Sequence, residues 1–393
     1  MGTKEDREND GGGNFSHNFS AGEEEIEESY EESMMVAKTF MTVAYMIVFL
    51  IGTPGNIWII YKLSRAKLWN TSSVQLTVSQ RSRIYIFALA CSDLILLLTL
   101  PPSTSYNYYG KWIFGEVACY ANRSLEMFAK LFSVILLTVM SVERYIVVCT
   151  RLRHFYRAWM SLVPLIFGII FGVITPTTIH FFYLSYIQAR SFGNITEGMP
   201  EETLNSWYCL PLMPDYIFNA FAQYTFFVGF VIPFVIMTIC YILLVRHVKA
   251  KYKIRKAQTT QKSGKTKEPR YMSEVRKSVW RIAVFHFVCW APFWGFTMLP
   301  NYIHYIMQII GPGKDLDNYS ENGVEMESQV FVYIRLFANC LPYVNAAGNW
   351  VLYALLNVDI RKHIYSSQPK KKQRKFSIKF NAIPTNRSEI IEK

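Results

Sequence analysis

Apolar residues along this chain gather into long uninterrupted runs, and each run has about the length a helix needs to cross a lipid bilayer. A helix rises 1.5 Å per residue, so about 20 mostly apolar residues span the hydrocarbon core, where no water can satisfy backbone groups. The first run, 39–61, contains no charge. The second, 84–100, is interrupted by Asp93, and the third, 117–148, carries several charges and stands out less by hydropathy. Four more follow at 162–183, 216–245, 279–298 and 330–356. The pattern predicts an all-α membrane protein: a seven-helix transmembrane bundle over 39–365, with an acidic tail (1–38) before it and a basic tail (366–393) after it. Over 358–365 apolar and basic residues recur at helical spacing, which predicts a short amphipathic helix lying on a membrane surface.

Composition agrees. Of the 393 residues 51% are hydrophobic and only 18% are charged, too few charges to cover a globular surface of this size. The charges are also segregated. Residues 1–33 hold eleven Asp/Glu against Lys4 and Arg7, whereas 246–281 holds thirteen Lys/Arg against Glu268 and Glu274. The loop after the first run holds Lys62, Arg65, Lys67, Arg81 and Arg83 with no acid, and the tail contains a Lys370-Lys371-Lys372-Gln373-Arg374-Lys375 cluster. These basic segments fall on one side, which the positive-inside bias makes cytoplasmic. The expected placement is a multi-pass plasma-membrane protein, N-terminus outside and C-terminus inside, the first span doing the targeting without a cleavable signal. Topology and attraction to anionic lipid account for most of the basic excess, so no nucleic-acid partner is implied.

Two residue types test that sidedness. Glycosylation sequons at Asn14, Asn18, Asn194 and Asn318 all fall outside, where glycans are added. Of seven cysteines, only Cys119 and Cys209 face the oxidising side, so by elimination they form the expected disulfide.

Ionisable residues within spans are costly and mark function. The third span concentrates them: Arg123, Glu126, Lys130, then Glu143 and Arg144. Eighteen residues separate Glu126 from Arg144, which is five turns and about 27 Å along one face. One end of the bundle thus has a crevice with a charged floor, and the other an arginine. Glu126 has Arg123 three residues before it and Lys130 four after, so its charge is either neutralised within its own helix or offered to a ligand. Arg335 adds a cation in the outer part of the seventh span. Asp93 has no charged sequence neighbour; Asn56, Asn345 and Asn349 are its expected partners in a polar network holding water or a sodium ion. Pro54, Pro233 and Pro292 fall within spans and predict bends.

In order, the chain carries Gly55-Asn56, Leu89-Ala90-Cys91-Ser92-Asp93, Trp112-Ile113-Phe114-Gly115, Cys119, Glu143-Arg144-Tyr145, Pro233 with Tyr241, Cys289-Trp290-Ala291-Pro292, and Asn349 with Tyr353. This set resembles the class A (rhodopsin-like) G-protein-coupled receptors across all seven spans. Thr99-Leu100-Pro101, the Trp112–Gly115 loop and the acid at 126 further resemble the somatostatin, opioid and allatostatin-C-type peptide receptors. Departures are Trp350 where the family's seventh span has proline, His286 where it has phenylalanine, and Glu143 where aspartate is commoner.

The resemblance implies a neuropeptide receptor that activates a heterotrimeric G protein, of Gi/o type, with arrestin and a receptor kinase as further partners. Its ligand residues would be Arg123, Glu126, Lys130, Trp290 and Arg335. Its activation switch would be Glu143, Arg144, Tyr145, Tyr241, Trp290, Pro292, Asn349 and Tyr353. The sole cofactor it suggests is a sodium ion at Asp93. Acids at 315, 317, 321, 325 and 327 favour a basic peptide by electrostatic steering. A small non-peptide ligand is the alternative. A transporter is disfavoured because the two halves show no internal repeat, and enzymatic action because no metal-ligand spacing, nucleophile elbow or phosphate loop occurs.

Overall fold

A computed structural model of the chain describes residues 13–65, 78–150, 162–192, 205–259, 280–298 and 329–356. Helices follow the seven apolar runs. The first span, Gly13–Arg65, is far longer than a bilayer needs, because the acidic segment from Gly13 onward is helical too; its apolar part is Glu32–Arg65. The second span is Val78–Leu98, continued past a break at Thr99 by Leu100–Tyr109. Pro101 and Pro102 open that second segment, where missing N–H groups cost nothing. Residues 101–109, beyond the end of the apolar run, therefore prolong the helix. The third span, Gly115–Cys149, matches its apolar run closely.

The remaining spans are less regular. The fourth runs Leu162–Ile169 and Thr175–Tyr183 on either side of a π-turn at Ile170–Ile174. The fifth runs Asp215–Phe226 and Ile232–Thr259 around a π-turn at Phe227–Val231. Each widened turn lies just before a proline, Pro176 or Pro233, whose ring would collide with the carbonyl four residues back in an ideal helix. The sixth span is described over 280–298. The seventh, Gln329–Val351, contains Pro342 and ends in a third π-turn, Leu352–Leu356. Trp350 thus removes one expected bend, but Pro342 and the π-turn put irregularity into the same helix. The short helix expected over 358–365 lies outside the described residues.

By length and apolarity five described helices qualify as membrane-crossing. The seventh is diluted by Arg335, Asn339, Asn345 and Asn349, and Asn345 and Asn349 are buried. The bundle's outward surface is apolar instead: Val117, Phe182, Val288, Leu50 and Phe337 are all exposed, as a lipid-facing surface requires.

Small residues let the first and seventh spans approach closely. A Cβ on Gly52 would stand 2.7 Å from the Ala347 Cβ, and one on Gly55 would stand 2.3 Å from two atoms of the Trp350 indole. Without a hydrophobic effect between helices in lipid, such close backbone contact supplies much of the association. The third span runs through the middle of the core, burying Leu131, Val134, Leu136 and Met140 against Ile86, Leu89, Met237 and Ile282.

One end of the bundle is closed by an antiparallel hairpin, β1 (Leu184–Gln188) and β2 (Trp207–Pro211), pairing Tyr186 with Cys209. The expected disulfide is present: Cys209 is bonded to Cys119 at the start of the third span. The Trp112–Gly115 loop locks the same end. Trp112 is buried, its backbone N–H donates to the Trp207 carbonyl at 2.7 Å, and its indole N–H donates to the Gly115 carbonyl at 2.8 Å. Gly110 and Gly115 adopt positive φ (70° and 79°), which lets the chain leave one helix and enter the next within a few residues.

Candidate functional site

Beneath the hairpin lies a cavity of about 310 Å³, lined by Arg123, Glu126, Met127, Lys130, His180, Leu210, Thr225, Trp290, Phe293 and Trp294 among others. Four of the five expected ligand residues therefore meet at one place. Arg335 does not line it; that side chain is exposed on the seventh span.

Glu126 is the organising group. Its Oε1 accepts a hydrogen bond from Lys130 Nζ at 2.7 Å and another from the Tyr343 hydroxyl at 2.6 Å. Its Oε2 faces Arg123 Nη1 at 3.4 Å. Helical spacing alone brings Arg123 and Lys130 onto the carboxylate, one on each side. Of the two readings the charges allowed, neutralisation within the helix is the arrangement found. Tyr343, from the seventh span, was not anticipated, since a tyrosine in an apolar helix carries no signal of its partner. Aromatic rings hold the cations from the other side: Lys130 Nζ lies 5.0 Å from the Tyr343 ring and 5.6 Å from the Phe293 ring, and Arg123 lies 5.5 Å from the Tyr106 ring.

Trp290 forms part of the lining and is itself buried. It stacks on His286 one turn further in (centroids 5.4 Å apart, planes at 29°) and meets Phe293 edge-on. His286 faces Asn345 of the seventh span, Nδ1 to Oδ1 3.3 Å. One turn along that span, Asn349 donates to Asp93 Oδ2 at 3.0 Å. Asn56 donates to the backbone carbonyls of Gly52 and Ala346 at 3.0 and 3.1 Å. The expected quartet of Asn56, Asp93, Asn345 and Asn349 thus lies along one interior belt, which His286 extends to the sixth span. Ser92 and Ser133 carry it to the third, their hydroxyls 3.0 Å apart.

The belt has unused capacity. Asn56 Oδ1 and Asn349 Oδ1 are buried without a hydrogen-bond partner among the described residues. Like the Asp93 carboxylate, they are hard oxygen acceptors, the chemistry that ordered water or a hard cation takes.

At the far end of the third span Glu143 and Arg144 are buried and Tyr145 is half-buried. Arg144 lines a second cavity, also about 310 Å³, with Ser141, Met237, Cys240, Tyr241, Trp280 and Phe287. This cavity is almost wholly apolar. Tyr241 stacks on Trp280 (4.1 Å, 18°), tying the fifth span to the sixth; Trp280 is a residue the motifs do not single out. Tyr353 is fully buried in the core beside Ile59 and Leu63. Pro292 sits in the sixth span, half-buried between Trp290 and Trp294. Asn14 and Asn18 fall on the first helix where side chains are not described, and Asn194 and Asn318 lie outside the described residues.

Comparison with known proteins places this geometry. The model of the 7 transmembrane receptor (rhodopsin family) matches residues 55–353. The probable G-protein coupled receptor C06G4.5 of Caenorhabditis elegans is 28% identical over 84% of this chain and 68% of its own length. Neuropeptide receptor 18 of the same organism is 25% identical over 80% of this chain, which spans 63% of that relative, just under two thirds. Somatostatin receptor type 2 of Sus scrofa is 26% identical over 84% of this chain and 76% of its own length.

Proposed function

We infer, from a chain that belongs to the rhodopsin family of seven-transmembrane receptors, that it is a cell-surface neuropeptide receptor acting on a heterotrimeric G protein. It is a receptor and not an enzyme, and a multi-pass protein of the plasma membrane. The observation that carries the peptide reading is the charged cavity beneath the hairpin, where Arg123, Glu126 and Lys130 of one helix meet Trp290 of another. Relatives named as neuropeptide and somatostatin receptors support it. In this reading the hairpin end faces outside and the Arg144 end faces the cytoplasm.

The mechanism follows from how the two ends are joined. A ligand shifts a conformational equilibrium only by as much as it prefers one state. Here the cavity wall includes Trp290, which rests on His286, which in turn faces Asn345 of the interior belt. A ligand that displaces Trp290 perturbs that belt, and Pro292 provides a point about which the sixth span bends. Movement of its far end would unstack Trp280 from Tyr241 and open the cavity at Arg144 to a G-protein segment, with Gi/o coupling as the specific expectation. A sodium ion at Asp93, held with Asn56 and Asn349, would supply a positive charge that favours the closed belt.

The test is a peptide-library screen in cells expressing the receptor, reading nucleotide exchange on each G-protein class. Peptide-dependent exchange that is lost when Arg144 is replaced supports the reading. Substrate uptake by proteoliposomes, with no exchange on any G protein, refutes it.

A further inference from the structure

We propose that the cavity beneath the hairpin is a seat for a carboxylate, and that Arg123 is the residue that binds it. The proposal rests on the peptide-receptor reading and assigns its ligand a chemistry that this reading leaves open.

Charges and hydrogen-bond donors around the cavity favour an anion over a cation. The cavity is lined by two cationic side chains, Arg123 and Lys130, by His180, and by one acid, Glu126. Glu126 is already served by three groups: Lys130 at 2.7 Å, the Tyr343 hydroxyl at 2.6 Å and Arg123 at 3.4 Å. A carboxylate accepts about four hydrogen bonds in total, so little capacity remains for a ligand ammonium or guanidinium. A cationic ligand would also stand beside two like charges for the sake of one opposite one. An anionic ligand meets the reverse balance, two attractions against one repulsion.

The two cations differ in what they have left to offer. Lys130 makes its short bond to Glu126 and is flanked by the Phe293 and Tyr343 rings, so its charge is absorbed within the protein. Among the described residues Arg123 makes only the long 3.4 Å polar contact through a single nitrogen, and Tyr106 covers one face of its guanidinium. A guanidinium has five N–H donors in a planar fork, which matches a carboxylate two bonds at a time. Among the described residues its edge toward the cavity is the charged donor array with capacity to spare, and the unpartnered indole N–H groups of Trp290 and Trp294 in the same lining add neutral donors that also suit an acceptor. The acids at 315–327, outside the described residues, bear on how a peptide approaches; Arg123 bears on what it seats.

Two sources supply a carboxylate: the C-terminus of the peptide, or an Asp or Glu side chain. The experiment is a screen of octapeptides, each synthesised as free acid and as C-terminal amide, with G-protein activation as readout. Agonists are then resynthesised with each Asp or Glu replaced by its amide, and assayed on receptors carrying Arg123→Gln, Arg123→Lys or Glu126→Gln. The expected result is that removing one carboxylate, terminal or side-chain, weakens an agonist by about 100-fold on the native receptor. On Arg123→Gln that ratio collapses toward one, because the acid form alone loses potency, while Arg123→Lys keeps part of it. The neutral peptide serves as its own control for folding, since a damaged receptor would lose both forms. The proposal is overturned if agonists are equally potent without any carboxylate, or if they depend on a Lys or Arg whose contribution disappears in Glu126→Gln. In either of those cases peptide-driven exchange still upholds the receptor reading.

Discussion

Replacing Gly55 by alanine sets two well-known effects against each other, and the structure says which wins. In an ordinary helix interior Gly→Ala stabilises by roughly 1 kcal/mol, because alanine has less backbone freedom to lose. At position 55 the new Cβ would stand 2.3 Å from Cδ1 and Nε1 of Trp350 and 2.4 Å from Cδ2, where ordinary contact begins at 3.4 Å. The indole would have to move by more than 1 Å, and it is a rigid plate with Trp58 set edge-on against it at 6.5 Å. Forcing a methyl into a packed site costs about 1–3 kcal/mol, and displacing a rigid ring by more than 1 Å takes the upper part of that range, about 2–3 kcal/mol, so after the gain of roughly 1 kcal/mol the net effect is a loss of roughly 1–2 kcal/mol. Thermal denaturation of the purified receptor in nanodiscs, followed by thiol-reactive dye, should show a melting temperature several degrees lower. The double variant Gly55→Ala with Trp350→Leu should recover most of the loss, giving a coupling of about 1–2 kcal/mol between two residues 295 positions apart in sequence. A higher melting temperature in Gly55→Ala alone would refute the packing of Trp350 against the first span.

Cys209→Ser opens a loop of 90 residues between Cys119 and Cys209; chain-entropy arguments put its loss at about 4–5 kcal/mol, so little receptor should reach the cell surface by surface immunolabelling. Asp93→Asn should abolish the difference in melting temperature between sodium chloride and choline chloride that the native protein is expected to show. Trp280→Leu removes an aromatic stack worth about 0.5–1.5 kcal/mol. Nucleotide exchange without ligand should rise by about 2–10-fold, and unchanged basal exchange would mean that the Tyr241 contact does not hold the closed state.

The spans were legible in the sequence because lipid imposes a single rule, apolar for about 20 residues, that hydropathy reads directly. The disulfide was legible because sidedness left two candidates. The Arg123–Glu126–Lys130 cluster was legible because helical geometry alone makes neighbours of residues three and four apart. What could not be read were contacts between spans. Tyr343 reaching Glu126, His286 reaching Asn345 and Trp350 lying on Gly55 each join residues tens to hundreds of positions apart, and nothing local in a tyrosine, histidine or tryptophan declares its partner. Arg335 illustrates the converse: a cation in the seventh span is exposed and does not line the cavity, because position along a helix does not fix direction around it. The helix beyond Thr99 could not be read because the apolar run ends at Leu100, whereas Pro101 and Pro102 suit a helix's first turn.

The widened turns in the fourth, fifth and seventh spans have a consequence for comparing this chain with its relatives. Each such turn holds one residue more than a regular coil, so it is an insertion the helix has already absorbed. A relative shorter by one residue at 170–174, 227–231 or 352–356 would keep both halves of that helix facing the same neighbours. One missing a residue anywhere else in the same span would have half its side chains turned by about 100°. Gaps within these helices belong at those three places, and a residue-by-residue correspondence drawn straight through them will pair lipid-facing positions with interior ones.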